Sequence, residues 1–273
     1  MKKSLYLFLL TPLLLAGCGK QPASSYLDKD ATFCICSDVS NEVRALDLLV
    51  KCGVIPSYET KQDGTPINLP FRISLIDESL LVSALPDFDY GVLPCNTALT
   101  GRLVADTSLP SESDEVADLR ANVLACRTAG LSDPEYANKI AVLTEALLQQ
   151  ETADFIQTKY SGVVKSEQAD LRSDKIASKA GSGVIKVCAS EVPHKEILTS
   201  SAVTDYVSGK GYRLEVTVLD WTLQNESVAK GDYDANYFQH RPYLATYNGT
   251  ENKVSAACKV HFEPLRIYRG RGK

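Results

Sequence analysis

Four large rings lie close together in the stretch DANYFQHRPYL, residues 234–244: Tyr237, Phe238, His240 and Tyr243. The whole chain has one Trp, 13 Tyr, 7 Phe and 3 His, so this is a local concentration of rings. Rings in such numbers either fill a core or line a pocket for an apolar or polarizable ligand group. Because alternate residues of a strand face opposite sides, Phe238 and His240 share one face and Tyr237 points away from it.

Composition and charge limit the function classes. The chain has 273 residues, of which 44% are hydrophobic and 23% charged, enough for one large domain or two lobes. A formal charge of −5 disfavours nucleic acid as a partner, because phosphate neutralisation needs a basic face. The histidines His194, His240 and His261 are dispersed, and no CxxC or HxH spacing marks a metal site. We therefore expect no enzyme and no cofactor.

The N-terminus has the pattern of an exported lipoprotein. The residues MKK precede an apolar run at 5–17, which is too short to span a bilayer but typical of a signal peptide. The run ends in LLLAGC, the lipobox pattern in which the chain is cut before the cysteine and the cysteine is acylated. Two or three acyl chains anchor a protein stably. The sequence predicts a signal peptide at 1–17, lipidation of Cys18, a tether at 18–25, and attachment to the outer face of a bacterial cell membrane.

The remaining cysteines number seven, so at least one thiol is unpaired. Cys34, Cys126 and Cys188 lie in apolar, strand-like runs, where a free cysteine behaves as a small hydrophobic residue. We expect most of the seven to be thiols buried in the core.

Strand and helix patterns alternate along the chain. The strand-like runs ATFCICS, FRISL and FDYGVLP are separated by helical patterns, the first with Ser40 as candidate N-cap and Gly53 as its stop. The strand ANVLACR and amphipathic helices within 133–159 follow, and alternation resumes at residue 184 and ends in a strand, KVHFEPLRIY. This order predicts an α/β fold with mainly parallel sheets. In an exported two-lobed protein, it suggests a solute-binding protein with a ligand cleft between lobes.

Several stretches resemble the methionine-binding lipoproteins of the NlpA family. DANYFQHRPYL resembles the aromatic box of that family, VPHKEIL and KVHFEPL resemble segments that flank it, and SNEVRAL resembles an arginine-bearing helix start. RANVLACR and IQTKY resemble a later strand and the C-terminal helix. The resemblance implies a two-lobed, type II-like periplasmic-binding-protein fold. It also implies that the protein binds methionine or a related amino acid for an ABC importer, with a permease and its ATPase as partners.

The order of these segments differs from the family order, in which SNEVRAL follows VHFEPL. The sequence therefore resembles a circular permutant whose old termini are joined through a linker at 161–183; a slice from a tandem duplication remains the alternative. This interpretation divides the chain into lobe A at 26–104, lobe B at 108–268 and a tail at 269–273. It places the new break at a crossover between lobes, which predicts a looser hinge.

The resemblance also assigns contacts to the ligand backbone. Arg44 matches a carboxylate-binding arginine, whose planar fork suits a bidentate contact. Asn122 matches an amide that contacts the ligand backbone. Pro94 stands where the family has a ligand-binding Asn, so either Asn96 replaces the lost amide or the ammonium is recognised differently.

The rings would hold the ligand side chain. By the resemblance, Phe238, His240 and Tyr243 form a pocket with Trp221, and sulfur sits well at ring edges. Tyr237 is left out because it faces the other side of the strand. Two alternatives stay open: a different small ligand, or an exported lipoprotein without a transport role, such as an adhesin-like or degenerate relative.

Overall fold

The computed structural model describes Leu27 and residues 30–167 and 177–270. The predicted signal peptide at 1–17, the lipidated Cys18 and the tether at 18–25 lie outside the described residues. Within the described ranges, no helix combines the length and the apolar character needed to cross a membrane.

Strands and helices alternate as the sequence predicts. The strands are β1 (Phe33–Cys36), β2 (Glu59–Thr60), β3 (Pro66–Ile67), β4 (Ile73–Ile76), β5 (Tyr90–Leu93), β6 (Asn122–Arg127), β7 (Lys165–Ser166), β8 (Gly183–Ala189), β9 (Tyr212–Val218), β10 (Ala235–His240), β11 (Val254–Phe262) and β12 (Arg266–Arg269). The α-helices are α1 (Val39–Lys51), α2 (Leu81–Ala84), α3 (Cys95–Thr100), α4 (Asp114–Asp118), α5 (Pro134–Leu147), α6 (Gln150–Tyr160), α7 (Glu196–Leu198), α8 (Ser201–Gly209), α9 (Trp221–Lys230) and α10 (Arg241–Asn248).

The strands form two main sheets. The four-stranded sheet has the order β12-β5-β1-β4 and the six-stranded sheet the order β7-β11-β6-β10-β8-β9. Strands β4, β1 and β5 are parallel, as are β10, β8 and β9. Strands β6, β7, β11 and β12 join antiparallel, so both sheets are mixed. The predicted α/β architecture is confirmed, with a larger antiparallel share than the alternation of elements suggested.

Helix α1 illustrates how an element positions the site. Its cap is Asp38, whose Oδ1 accepts a hydrogen bond from the Asn41 backbone N–H at 3.1 Å. Ser40, the predicted cap, instead donates its hydroxyl to Asp38 at 2.8 Å. The apolar face of α1, including Leu46 and Leu49, is buried in the core of the four-stranded sheet. This packing fixes the first turn of the helix at the carboxyl end of β1.

The run KVHFEPLRIY is not one strand but two, in different sheets. Strand β11 ends at Phe262 in the six-stranded sheet, and β12 begins at Arg266 beside β5 in the four-stranded sheet. Pro264 lies between them, and a proline has no N–H to continue a ladder. The predicted boundary of lobe B at 108–268 therefore includes a strand that pairs with lobe A. Arg269, predicted as the start of a tail, also belongs to β12.

The described chain crosses between the two sheets twice, once between β5 and β6 and once at 263–265. Its described ends meet beside one residue: Gly270 N donates to Asp89 O at 2.8 Å, and Thr32 N donates to Asp89 Oδ2 at 2.9 Å. The described ends thus lie at the four-stranded sheet, and both crossovers are continuous in the described residues. The prediction of a cut crossover is wrong, so the looser hinge that was predicted from it has no support in the topology. The predicted linker at 161–183 contains β7, which pairs with β11.

Gly211, in the turn between α8 and β9, has a backbone that other residues rarely adopt. Its φ is +89°, and an added Cβ would lie 2.2 Å from the Gly181 carbonyl oxygen. We expect Gly211→Ala to lower the free energy of unfolding by at least about 1 to 2 kcal/mol, from the left-handed conformation alone. Urea unfolding measures the change. Gly209→Ala is the control, because no atom lies within 4 Å of its added Cβ; equal losses in both variants would contradict this account.

Candidate functional site

A cavity of about 340 Å³ lies at the carboxyl ends of the parallel strands of both sheets. Its walls come from α1, from the residues after β4 and β5, and on the other side from the ends of β8, β9 and β10. This is where open α/β sheets place ligands, and the volume suits a small molecule. All seven predicted binding residues line it: Arg44, Asn96, Asn122, Trp221, Phe238, His240 and Tyr243.

Arg44 is buried and forms an ion pair with the carboxylate of Glu112. Its Nε donates to both carboxylate oxygens of Glu112 at 2.8 and 2.9 Å, and its Nη2 donates to Glu112 Oε2 at 2.6 Å. Nη2 also donates to the Glu263 carbonyl oxygen at 2.7 Å. The predicted bidentate fork is therefore occupied by Glu112. Nη1 is the guanidinium nitrogen left to meet a ligand carboxylate.

The Arg44–Glu112 pair also joins the two crossovers. Glu112 lies on the segment between β5 and β6, and its Oε2 accepts a hydrogen bond from the Leu265 N–H at 2.8 Å. The Glu112 N–H donates to the Leu265 carbonyl at 2.9 Å. Arg44, from α1, thus contacts both connections between the sheets. A ligand carboxylate bound to its Nη1 would therefore lie next to both connections.

Asn122 is held by a buried polar network behind the cavity. Its Oδ1 lies 3.1 Å from His194 Nε2, and Glu263 Oε1 lies 3.0 Å from His261 Nε2. The Tyr237 hydroxyl bonds to His261 Nδ1, which explains why this tyrosine is buried away from the cavity. Burial, with a smaller contribution from the charge of His261, holds the pKa of His194 well below its usual value. A neutral His194 can therefore serve as a hydrogen-bond partner that fixes the Asn122 amide.

The same network contains a group of potential metal ligands. Donor atoms of His194, His261 and Glu263 lie within 4.8 Å of one another. Both ring nitrogens of His261 and the Nε2 of His194 already have hydrogen-bond partners. The arrangement is best described as a hydrogen-bonded core cluster that orients Asn122 and Glu263.

The aromatic wall is centred on Tyr243. The centroid of its ring lies 5.2 Å from the ring centroid of Trp221. It lies 5.8 Å from that of Phe238, which it meets edge to face. The pairing of β10 with β6 shifts between Tyr237 and Gln239, so a bulge at Phe238 breaks the strict alternation. Gln239 consequently lines the cavity together with its neighbours, which alternation did not predict.

His240 ends β10 and caps α10. Its Nδ1 accepts a hydrogen bond from the Tyr243 N–H at 3.2 Å. Burial, aided by the nearby charges of Arg44 and Arg120, lowers the pKa of His240 to about 3. The ring is neutral at physiological pH, and because Nδ1 accepts, its proton lies on Nε2. His240 therefore offers a neutral donor rather than a positive charge.

Sequence patterns missed three charged residues of the cavity, Glu78, Arg120 and Glu263. Glu78 directly follows the carboxyl end of β4, and its Oε1 accepts a hydrogen bond from Thr97 Oγ1 at 2.6 Å. The Nε of Arg120 is buried without a hydrogen-bond partner. The rule that ligands lie at carboxyl ends of parallel strands could have indicated Glu78, since FRISLID places it there.

The cysteine thiols supply no reactive group to the site. The seven cysteines among the described residues are all buried thiols, in agreement with the prediction that most of them lie in the core. Burial raises the pKa of Cys34, Cys36 and Cys188 to about 12, so these thiols stay protonated. Cys95 lines the cavity, and burial raises its pKa as well.

Comparisons with known proteins identify the family of this chain. The NlpA lipoprotein family model matches residues 23–167 and 185–273. The methionine-binding lipoprotein MetQ of Bacillus subtilis (strain 168) is 40% identical over 94 residues, 33% of this chain and 34% of that protein. The D-methionine-binding lipoprotein MetQ of Salmonella typhi is 47% identical over 45 residues, 15% of this chain and 17% of that protein.

Among solved structures, a putative methionine-binding lipoprotein from Bacillus subtilis subsp. subtilis str. 168 is 39% identical, with a TM-score of 0.24. That match covers 26% of this chain and 28% of the other. The alignments with these relatives thus span about a third of their length or less. The family model, by contrast, matches most of this chain in two segments, and the chain belongs to the NlpA lipoprotein family.

Proposed function

We propose that this protein is the substrate-binding lipoprotein of an ABC importer and that it binds methionine or a related amino acid in the cavity between its sheets. The observation that carries the proposal is the convergence of the seven predicted residues on one cavity. They combine an arginine nitrogen, fixed amides and a wall of rings. These are the groups that an amino-acid carboxylate, its polar backbone and a long polarizable side chain require.

The geometry supports methionine through the aromatic wall. Trp221, Phe238 and Tyr243 surround one side of the cavity, and His240 adds a neutral ring with an N–H donor. A thioether is flexible and polarizable and makes favourable contacts with ring edges. A charged side chain would lose its hydration at this wall without gaining an ion pair there.

Transport follows from closure of the two sheets around the ligand. Arg44 and Asn96 lie on the side of the four-stranded sheet, whereas Asn122 and the rings lie on the other side. A ligand that contacts both sides binds the closed state better and shifts the population toward it. The closed form would dock on a permease with its ATPase, while the lipidated Cys18 would hold the protein at the bilayer.

The permuted order of segments fits this function. We infer a circular permutation because the described ends meet at Asp89 and the family match is interrupted at 168–184. Joined termini require ends that lie close together at the surface. With both crossovers continuous, permutation leaves the hinge connections intact.

The test is direct binding by protein that starts at residue 19, unfolded and refolded to release any carried ligand. Isothermal calorimetry with L-methionine should give a dissociation constant of about 1 µM or lower, about −8 kcal/mol. Mass spectrometry of the material released from the native protein should identify the same compound. L-alanine, which lacks the long side chain, is the matched control ligand. No heat with any of the twenty amino acids would contradict the proposal.

A further inference from the structure

Glu78 is a carboxylate in the cavity wall without a cationic partner. Its Oε1 accepts the hydroxyl hydrogen of Thr97 at 2.6 Å, and the nearby Asn96 amide favours its charged form. No lysine, arginine or histidine of the described ranges lies within ion-pair distance of it. The charges that act on it most come from Asp38 and Glu263, and both are negative.

The two guanidinium groups of the cavity do not compensate this charge. Arg44 forms its ion pair with Glu112 at 2.6 Å. Arg120 lines the cavity but forms no ion pair with Glu78 in the part of the chain that the structure describes. A carboxylate removed from water and left unpaired is unfavourable, and a cationic group in the cavity would relieve this.

We propose that Glu78, oriented by Thr97 and Asn96, binds the ammonium group of the ligand. The inference rests on the proposed function, because it names the residue that recognises one end of an amino acid. It also explains how the site could work with Pro94, which has no side-chain amide. The Glu78 carboxylate, which follows a neighbouring strand, would replace the neutral amide acceptor by a charged one. Asn96 then positions Glu78 instead of substituting directly for a lost ligand contact.

The position of Glu78 fits this role. It follows β4, whereas Arg44 stands on α1 after β1 and the rings stand on the six-stranded side. Of the two carboxylates in the cavity, Glu263 bonds to His261, whereas Glu78 is left for the ligand. Glu78, Arg44 and the apolar wall come from three different elements. A zwitterion with a long side chain has one matching group for each.

The test is the isosteric change Glu78→Gln, which keeps an acceptor for Thr97 and removes the charge. Calorimetry compares L-methionine with 4-(methylsulfanyl)butanoate, the same molecule without its ammonium group. We expect the variant to lose about 10- to 100-fold in affinity for methionine, the range of a hydrogen bond to a charged group. Affinity for the butanoate should change less than about twofold. Equal losses for both ligands, or none for methionine, would overturn the proposal.

A basic side chain could supply the same alkylammonium chemistry. L-lysine as a third probe separates the two sources. If the wild type prefers lysine to methionine and Glu78→Gln removes that preference, Glu78 is an ammonium site but methionine is the wrong ligand. Glu59→Gln makes the same chemical change at an exposed glutamate that does not line the cavity, and it should leave every affinity unchanged.

A second readout does not need a ligand. Removing an unpaired, half-buried charge should raise the melting temperature of the ligand-free protein, by about 2 to 4 °C, whereas Glu59→Gln should not. A melting temperature that does not rise, together with an unchanged affinity for each probe, would refute the role of Glu78. If the wild type binds no methionine but the melting temperature rises, the proposed ligand fails while the unpaired carboxylate stands.

The pH dependence of methionine binding gives a third readout. Burial raises the pKa of Glu78 above its ordinary value, so affinity should be full above that raised pKa and fall as pH drops through it. The other groups that face it are Asp38 and Glu263, the two permanently charged guanidiniums, and Tyr243, which burial keeps neutral with a pKa of about 12. His240, with a pKa of about 3, stays neutral across this range. Glu78→Gln should flatten the profile; an unchanged slope would contradict the assignment.

Discussion

Replacing Arg44 by alanine is expected to lower the free energy of unfolding by about 3 to 5 kcal/mol. The reason is that Glu112 would remain buried without its cationic partner. Glu112 is buried and accepts three hydrogen-bond contacts from the guanidinium, between 2.6 and 2.9 Å. Without Arg44, the one hydrogen-bond donor to its side chain among the described residues is the Leu265 N–H. Removing one member of a buried ion pair is far costlier than removing both. Urea unfolding of the ligand-free protein measures the loss.

Arg120→Ala is the matched control for this prediction. Arg120 lines the same cavity, but no ion pair or hydrogen bond of its side chain is present among the residues described. Its removal should change stability by less than about 1 kcal/mol. Similar losses of stability in the two variants would mean that the Arg44–Glu112 ion pair contributes no more to the free energy of unfolding than an arginine without a partner.

The same pair complicates any binding experiment on Arg44. Loss of methionine binding in Arg44→Ala could reflect a missing ligand contact or a loosened junction between the crossovers. The double change Arg44→Met with Glu112→Leu separates these, because an apolar pair of similar volume often replaces a buried ion pair without loss of stability. If stability returns and binding does not, Arg44 contacts the ligand. If both return, its role is structural.

Local sequence patterns predict much of this fold and the ring wall of the site. The alternation of apolar strands and amphipathic helices correctly indicated the α/β class, and the strands that it marked are present. Phe238 and His240 line the cavity while Tyr237 is buried behind it, as predicted, although the bulge at Phe238 means that strict alternation is not the reason. These features depend on residues close together in the chain.

Features that depend on distant residues were missed. Glu112 is 68 positions from Arg44, and no local pattern marks a glutamate as the partner of a particular arginine. Strand β12 reads as a continuation of β11 because both are apolar, and only Pro264 hints that the chain changes sheets. The bulge at Phe238 likewise results from pairing with β6, and it brings Gln239 into the cavity against the alternation.

Tyr243→Ala is expected to lower the affinity for methionine by about 10- to 100-fold, about 1.4 to 2.8 kcal/mol, a loss of the same size as that expected for Glu78→Gln. The Tyr243 ring contacts both Trp221 and Phe238, so its removal opens the wall at its centre. The ligand side chain would lose apolar burial and a ring edge for its sulfur. Because Tyr243 is only half-buried in the free protein, stability should change little.

Tyr247→Ala provides the control on the same helix, since its hydroxyl donates to Glu226 at 2.9 Å and its ring does not line the cavity. Calorimetry with L-methionine and L-norleucine then separates the two contributions of the Tyr243 ring. Apolar burial is common to both ligands, whereas the sulfur contact belongs to methionine alone. A loss in Tyr243→Ala that is larger for methionine than for norleucine assigns the thioether to this wall. Unchanged affinity for both ligands would mean that the ligand side chain binds elsewhere in the cavity and that the rings only pack against one another.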